Sequence, residues 1–117
     1  MSDVTLTLEK VRRLEQYVSV SAARVDPLID RTIDKLLDRE ASRLRDVKRR
    51  LESQVAEFER QYSMVSQDFS TRFATGELGD HVDYMEWASS LAMISNIDGQ
   101  LTILGRLNNE YDHREAL

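Results

Sequence analysis

Between Ile33 and Phe73 the apolar residues recur every eleven positions, and this repeat constrains the fold more than any other feature of the chain. One row is Ile33, Leu44, Val55; a second is Leu36, Val47, Phe58, Phe69; a third is Leu51, Tyr62, Phe73. Of the twelve positions on these rows, ten are apolar or aromatic, and Glu40 and Ser66 are the exceptions. Eleven residues in three turns is about 3.67 per turn, close to a relaxed α-helix, so the stripe runs straight or with a slight right-handed supercoil. Such a helix has one apolar seam, which needs something to lie against it.

The ends of this helix are legible. Asp26 is a preferred N-cap, and Pro27 at the first helical position loses only an N–H that has no intrahelical partner. A helix from Pro27 to Tyr62 would be about 54 Å long. Ser66 sits on the seam and can cap a new short helix, so a break is expected between 62 and 67. A short helix over 67–75 then presents Phe69 and Phe73 one turn apart. Gly76 is the expected left-handed residue at its C-terminus.

Upstream, residues 3–24 predict a first helix, with Thr5 or Thr7 as N-cap and Leu8, Val11, Leu14 and Val18 at helical spacing. Its serine-rich, β-branched tail predicts fraying. Downstream, Gly76-Glu-Leu-Gly-Asp opens a loop over 76–82. Asp83 as N-cap, Glu86 as its capping-box partner, and Val82 with Trp87 as a hydrophobic staple predict a helix over 83–107, followed by a frayed tail over 108–117. This helix has a large face (Trp87, Leu91, Ile94, Leu101, Leu104) and a small face (Ala88, Ala92, Ser95, Gly99, Thr102). Gly99 and Gly105 each cost about 1 kcal/mol against Ala inside a helix, which suggests close packing or local irregularity.

Composition narrows the functional classes. The chain has 117 residues, 41% hydrophobic and 32% charged, with one proline and four glycines. That is the profile of one domain built from a few long helices. No cysteine is present, which removes disulfides, thiolate chemistry and cysteine-ligated metals. No secretory signal and no apolar run of about 18 residues is found, which leads us to expect a soluble cytoplasmic protein. Residues 31–50 hold eight basic and four acidic side chains (+4), whereas residues 76–117 hold two and eight (−6). Opposite signs on two helices favour packing them together, or docking something charged on either one, although solvated faces are the commoner reading.

The candidate sites are few. Asp80, His81, Asp83 and Glu86 resemble a ligand set for a hard cation, but loop and cap roles explain them better, since acids gather at helix N-termini. His113 falls in the expected tail, and no nucleophile, base and orienting group can be assembled. No phosphate-binding glycine loop occurs. The basic residues from Arg31 to Arg50 are interleaved with Asp34, Asp38, Glu40 and Asp46, and the chain is acidic overall, so nucleic acid is not the expected partner. Tyr62, Phe69, Phe73, Tyr84 and Trp87 flank the 76–80 loop. A local aromatic core is the favoured reading, and a partner-anchoring patch the alternative. No enzymatic activity and no cofactor are expected.

The run Phe58-Glu-Arg-Gln-Tyr-Ser-Met, then Phe69 and Phe73, then Gly76-Glu-Leu-Gly-Asp with Asp83 and Glu86-Trp87, resembles a family of small uncharacterised helical proteins of bacteria and archaea. The resemblance spans roughly residues 27–92. Members read Tyr-Gly-Met where this chain has Tyr62-Ser63-Met64. The resemblance implies an antitoxin-like component encoded beside a small toxin-like partner protein.

These readings combine into an all-α protein, an elongated helical hairpin or coiled-coil bundle around the long helix. A final helix ending near Leu107 would cover only part of the seam and leave Ile33 to Val47 exposed, which predicts a homodimer. The expected partner-binding residues are Ile33, Leu36, Leu44, Val47, Leu51, Phe69, Phe73, Leu78 and Trp87. A self-associating structural coiled coil is the alternative function, and a carboxylate metal protein a more distant one.

Overall fold

A computed structural model describes the backbone of residues 3–21 and 24–116 and the side chains of residues 3–21 and 24–105. The fold is all-α, with helices α1 (Asp3–Ser19), α2 (Pro27–Tyr62), α3 (Ser66–Ala74) and α4 (Val82–Ala116), and no strand among the described residues. Two compact units divide the chain, residues 1–35 and residues 36–117.

In the first unit, α1 has no buried side chain. It begins at Asp3, so Thr5 and Thr7 lie inside it and neither is its N-cap. It ends at Ser19 rather than near residue 24. The fraying expected there has a visible cause: the Ser19 and Ser21 hydroxyls donate to the carbonyls of Gln16 and Tyr17 and compete for the last turn. The start of α2 follows the Asp-Pro rule. The Leu28 N–H donates to Asp26 Oδ1 at 2.8 Å, and the Asp26 carbonyl accepts from Ile29 and Asp30.

The second unit holds the core. Lys48 pairs with Asp98, Gln54 with Ser90 and Tyr62 with Asp83. Numbers fall along α2 as they rise along α4, so the two helices are antiparallel. The eleven-residue seam is the packed face. Leu44, Val55, Phe58 and Phe69 are buried, and of the twelve seam positions only Leu36 is exposed, at 57%.

Two seam expectations are corrected. α4 does not stop near Leu107 but continues to Ala116, so its 35 residues, about 52 Å, approach the length of α2. Of the stripe expected to be exposed from Ile33 to Val47, Leu44 is buried, Ile33 and Val47 are half-buried, and Leu36 is exposed. The backbone of 108–116 is helical rather than a frayed tail; His113 and the other side chains of that stretch lie outside the described residues.

Turns between helices are closed by backbone geometry. α2 ends with Ser63 at φ 52°, and the Met64 N–H bonds back to the Glu59 carbonyl. Gly76, at φ 80°, plays the same part after α3: Gly76 N–H reaches Phe73 O and Glu77 N–H reaches Arg72 O. Both are Schellman-type ends, in which a left-handed residue turns the chain and satisfies the last carbonyls. Glycine adopts this conformation freely, whereas serine at Ser63 does so at a steric cost.

Candidate functional site

The aromatic residues around the 76–80 loop form a closed cluster within the second unit. Trp87 and Phe69 are fully buried, with rings stacked 3.9 Å apart and 4° from parallel. Phe58 and Tyr62 lie 5.8 and 6.3 Å from Trp87, Phe73 stacks on Phe69 at 5.3 Å, and Tyr84 meets both Phe69 and Tyr62. Met64 and Leu78 pack against this cluster. Each ring comes from an element whose spacing was legible: Phe58 and Tyr62 from α2, Phe69 and Phe73 from α3, Tyr84 and Trp87 from α4.

Polar groups tie the cluster together. The Trp87 indole N–H donates to Ser66 Oγ at 3.0 Å, and the Ser66 N–H donates to Glu59 Oε2 at 2.8 Å. Ser66 therefore does not cap α3. The N-cap is Val65, without a side-chain bond, and Glu59 of the preceding helix takes the free N–H. The seam tolerates a serine at position 66 because a buried indole needs an acceptor. Tyr62 donates its hydroxyl to Asp83 Oδ2 at 2.5 Å. That bond, followed by partial burial, pushes the Tyr62 phenol up to about 12. Deeper in the hairpin, buried Ser90 donates to Gln54 at 3.3 Å. Lys48 donates to Asp98 at 2.7 Å, and the carboxylate holds the ammonium above its ordinary range.

The Asp80, His81, Asp83 and Glu86 set resolves into capping and packing. α4 starts at Val82, one residue earlier than expected, and its N-cap is His81. The His81 carbonyl accepts from Tyr84 and Met85, and its Nδ1 accepts the Asp83 N–H at 3.0 Å. The capping box on Asp83 and the Val82–Trp87 staple are thus corrected. Asp83 is in the first turn with its carboxylate on Tyr62, and Val82 is exposed. Among the described residues no three His, Cys, Asp or Glu side chains converge as metal ligands. An imidazole cap is outside the usual set of capping residues, which is why its role was not legible.

The expected partner-binding residues separate into three groups by burial. Trp87, Phe69 and Leu44 are core residues of their own chain. Phe73, Leu78, Leu51, Val47 and Ile33 are half-buried, and Leu36 alone is presented to solvent. Within the second unit, the seam of α2 packs against α3 and α4 at Val55 and Phe58.

In the first unit, α1 exposes Val4, Leu6, Leu8, Val11, Leu14 and Tyr17; within the second unit, the outer face of α4 is exposed. Buried Trp87, Ser90 and Ile97 mark its inner face. Opposite them, Met85, Ser89, Ala92, Asn96, Gly99 and Ile103 are all exposed, Met85 at 54% and Ile103 at 60%. The small face does not meet a close backbone in this chain, as its composition had suggested. A Cβ built at Gly99 or Gly105 would find no atom within 4 Å. Ser89, Ala92, Met93, Ser95, Asn96 and Gly99 line an open depression of about 470 Å³. From Tyr84 to Gly105 the only charged residues are Glu86 and Asp98, and helical geometry places both off the outer face. By contrast, the exposed side of α2 bears Arg43, Arg45, Asp46, Arg49, Arg50, Glu57 and Arg60, with Arg43–Glu40, Arg49–Asp46 and Arg60–Glu57 paired along the helix.

Among the described residues no helix is long and apolar enough to cross a membrane. Comparison of the chain with protein-family models, with curated proteins and with solved structures finds no match.

Proposed function

We propose that this chain is a non-catalytic protein–protein interaction module, and, following the resemblance noted in its sequence, the antitoxin-like component of a prokaryotic, cytoplasmic pair that binds a small partner protein. The observation that supports an interaction role is the uncharged outer face of α4. A solvated helix face in a chain with 32% charged residues carries ion pairs, as α2 does. A face that exposes Met85, Met93 and Ile103 around small residues is instead suited to being covered by another protein. The aromatic cluster serves this role indirectly, by fixing α4 on α2 and so holding the outer face rigid.

The test is co-expression with the neighbouring reading frames, with only this chain tagged. Stoichiometric recovery of a small neighbour-encoded protein that is harmful when expressed alone supports the antitoxin-like reading. Recovery must fall when Ala92 and Gly99 are replaced by Glu. Recovery that is unchanged in that variant removes the α4 face from the interaction.

A further inference from the structure

From the cap geometry at the start of α4, we infer that His81 is a proton-operated latch: its neutral ring holds the Asp83 N–H, and with it the first turn of the helix, and its protonated ring lets that N–H go. The inference goes beyond the interaction reading and is independent of any partner. His81 offers α4 two kinds of acceptor. Its carbonyl takes the N–H groups of Tyr84 and Met85, and its Nδ1 takes the Asp83 N–H at 3.0 Å. The carbonyl does not titrate, but the imidazole does. Histidine is the side chain whose charge ordinarily changes between about pH 5 and 8. The residue is exposed, so solvent protons reach the ring directly.

The direction follows from the chemistry of the ring. A neutral imidazole that accepts at Nδ1 carries its one proton on Nε2, whereas in the protonated ring both nitrogens donate. The Asp83 N–H then faces a second N–H. A positive charge is also placed beside the free donors of a helix N-terminus, where cations are unfavourable. The charged and titratable groups around the ring are Asp80 before it, Asp83 and Glu86 early in α4, and Tyr84, whose ring lies 5.5 Å from the imidazole. From α2, Tyr62 donates to Asp83 Oδ2; on the α3 side of the loop, Arg72 and Glu77 pair with each other. The nearby acids attract an imidazolium, but none of them gives Nδ1 back its lone pair. The cap bond is lost whichever acid the ring turns to.

The latch has a defined reach. The Asp83 carboxylate receives the Tyr62 hydroxyl at 2.5 Å, so a loosened first turn also loosens this link between α4 and α2. One turn further on, Trp87 is fully buried, stacked on Phe69 and bonded to Ser66, and the opening stops there. Acidification therefore frees the first turn of α4 without unfolding the second unit.

The chain has two histidines, His81 and His113, so imidazole resonances are readily assigned in the 15N-labelled full chain. Near about pH 8 their shifts should place the His81 proton on Nε2. Solvent-exchange NMR then reads the latch. The protection factor of the Asp83 N–H should fall at least about threefold between about pH 8 and 5, with the midpoint of the His81 titration, while that of Ser90 stays constant. His81→Asn, whose carboxamide oxygen accepts at every pH, should hold Asp83 protection constant. Asp83→Asn should keep the fall, because the backbone N–H and the imidazole both remain. A His81 proton on Nδ1, constant Asp83 protection in the wild type, an equal fall in His81→Asn, or no fall in Asp83→Asn overturns the inference.

Discussion

Replacing Ser66 by Ala removes one oxygen from the seam of the second unit and leaves the Trp87 indole N–H without an acceptor. Trp87 is fully buried, so water cannot take the place of the hydroxyl. An unsatisfied buried donor costs about 1–3 kcal/mol, more than the net worth of the bond itself. The substitution also changes intrinsic helix propensity in the first turn of α3 by up to about 0.5 kcal/mol in the opposite direction. A double-mutant cycle separates the two. In a Trp87→Phe background there is no indole N–H to strand, so Ser66→Ala should be neutral or slightly stabilising. The coupling energy between the two positions should then be about 1–2 kcal/mol. Trp87→Phe alone should cost about 1–3 kcal/mol through the volume it leaves against Phe69 and Phe58. Urea unfolding followed by far-ultraviolet circular dichroism reads all four proteins, including those that lack tryptophan. Equal costs of Ser66→Ala in both backgrounds would refute the account of Ser66 as the acceptor that a buried indole demands.

Other predictions concern the same end of the hairpin. One of the four tyrosines should titrate late. Because Tyr62 is raised to about 12 in the folded chain, above its unfolded value near 10, its contribution to stability is complete below pH 10 and is lost as pH rises through 12. Absorbance at 295 nm should show this late phenol, and Asp83→Asn should move it toward the others; a wild-type chain whose tyrosines all titrate together would contradict the Tyr62–Asp83 bond. Ser63→Gly should stabilise by about 0.5–1 kcal/mol, since relief of left-handed strain exceeds the added chain entropy of glycine; a lower urea midpoint would show that the left-handed turn is absent. His81→Ala should destabilise by about 0.5–1 kcal/mol, and His81→Asn should restore or exceed wild-type stability, because a carboxamide oxygen accepts the Asp83 N–H. Equal midpoints for the Ala and Asn variants would rule out a capping role.

The parts of the fold readable from sequence were those where one residue type has one physical use. Pro27 after Asp26 starts a helix because no other position in a helix suits proline so well. Gly76 ends one because a left-handed residue is needed there. The eleven-residue seam predicted burial well because its period matches the helix, so each row stays on one face. Its two polar exceptions were readable as exceptions only. Glu40 lies half-buried at the seam edge and pairs with Arg43 at 3.2 Å, and Ser66 faces Trp87 from a different helix. Both explanations depend on which groups the fold brings close. His81 was unreadable for a related reason: an imidazole has many uses, and only the position of the Asp83 N–H selects capping.

The end and orientation of α4 were hidden by the same property that makes this helix of interest. Amphipathic contrast tells a reader which face is inside and where a helix stops. α4 lacks that contrast, because Trp87, Ile97 and Leu101 on one side are matched by Met85, Ala92 and Ile103 on the other, with almost no charge between. Gly105, expected to mark close packing or local irregularity, has open space where a side chain would be, and the helix runs on through it to Ala116. By contrast, α2 keeps Arg45, Arg49 and Arg60 on its exposed side. Since α2 and α3 account for the inner face of α4 alone, the absence of contrast is itself informative. The second unit buries one face of α4, at Trp87, Ser90 and Ile97, and the apolar outer face is what supports the proposed interaction role.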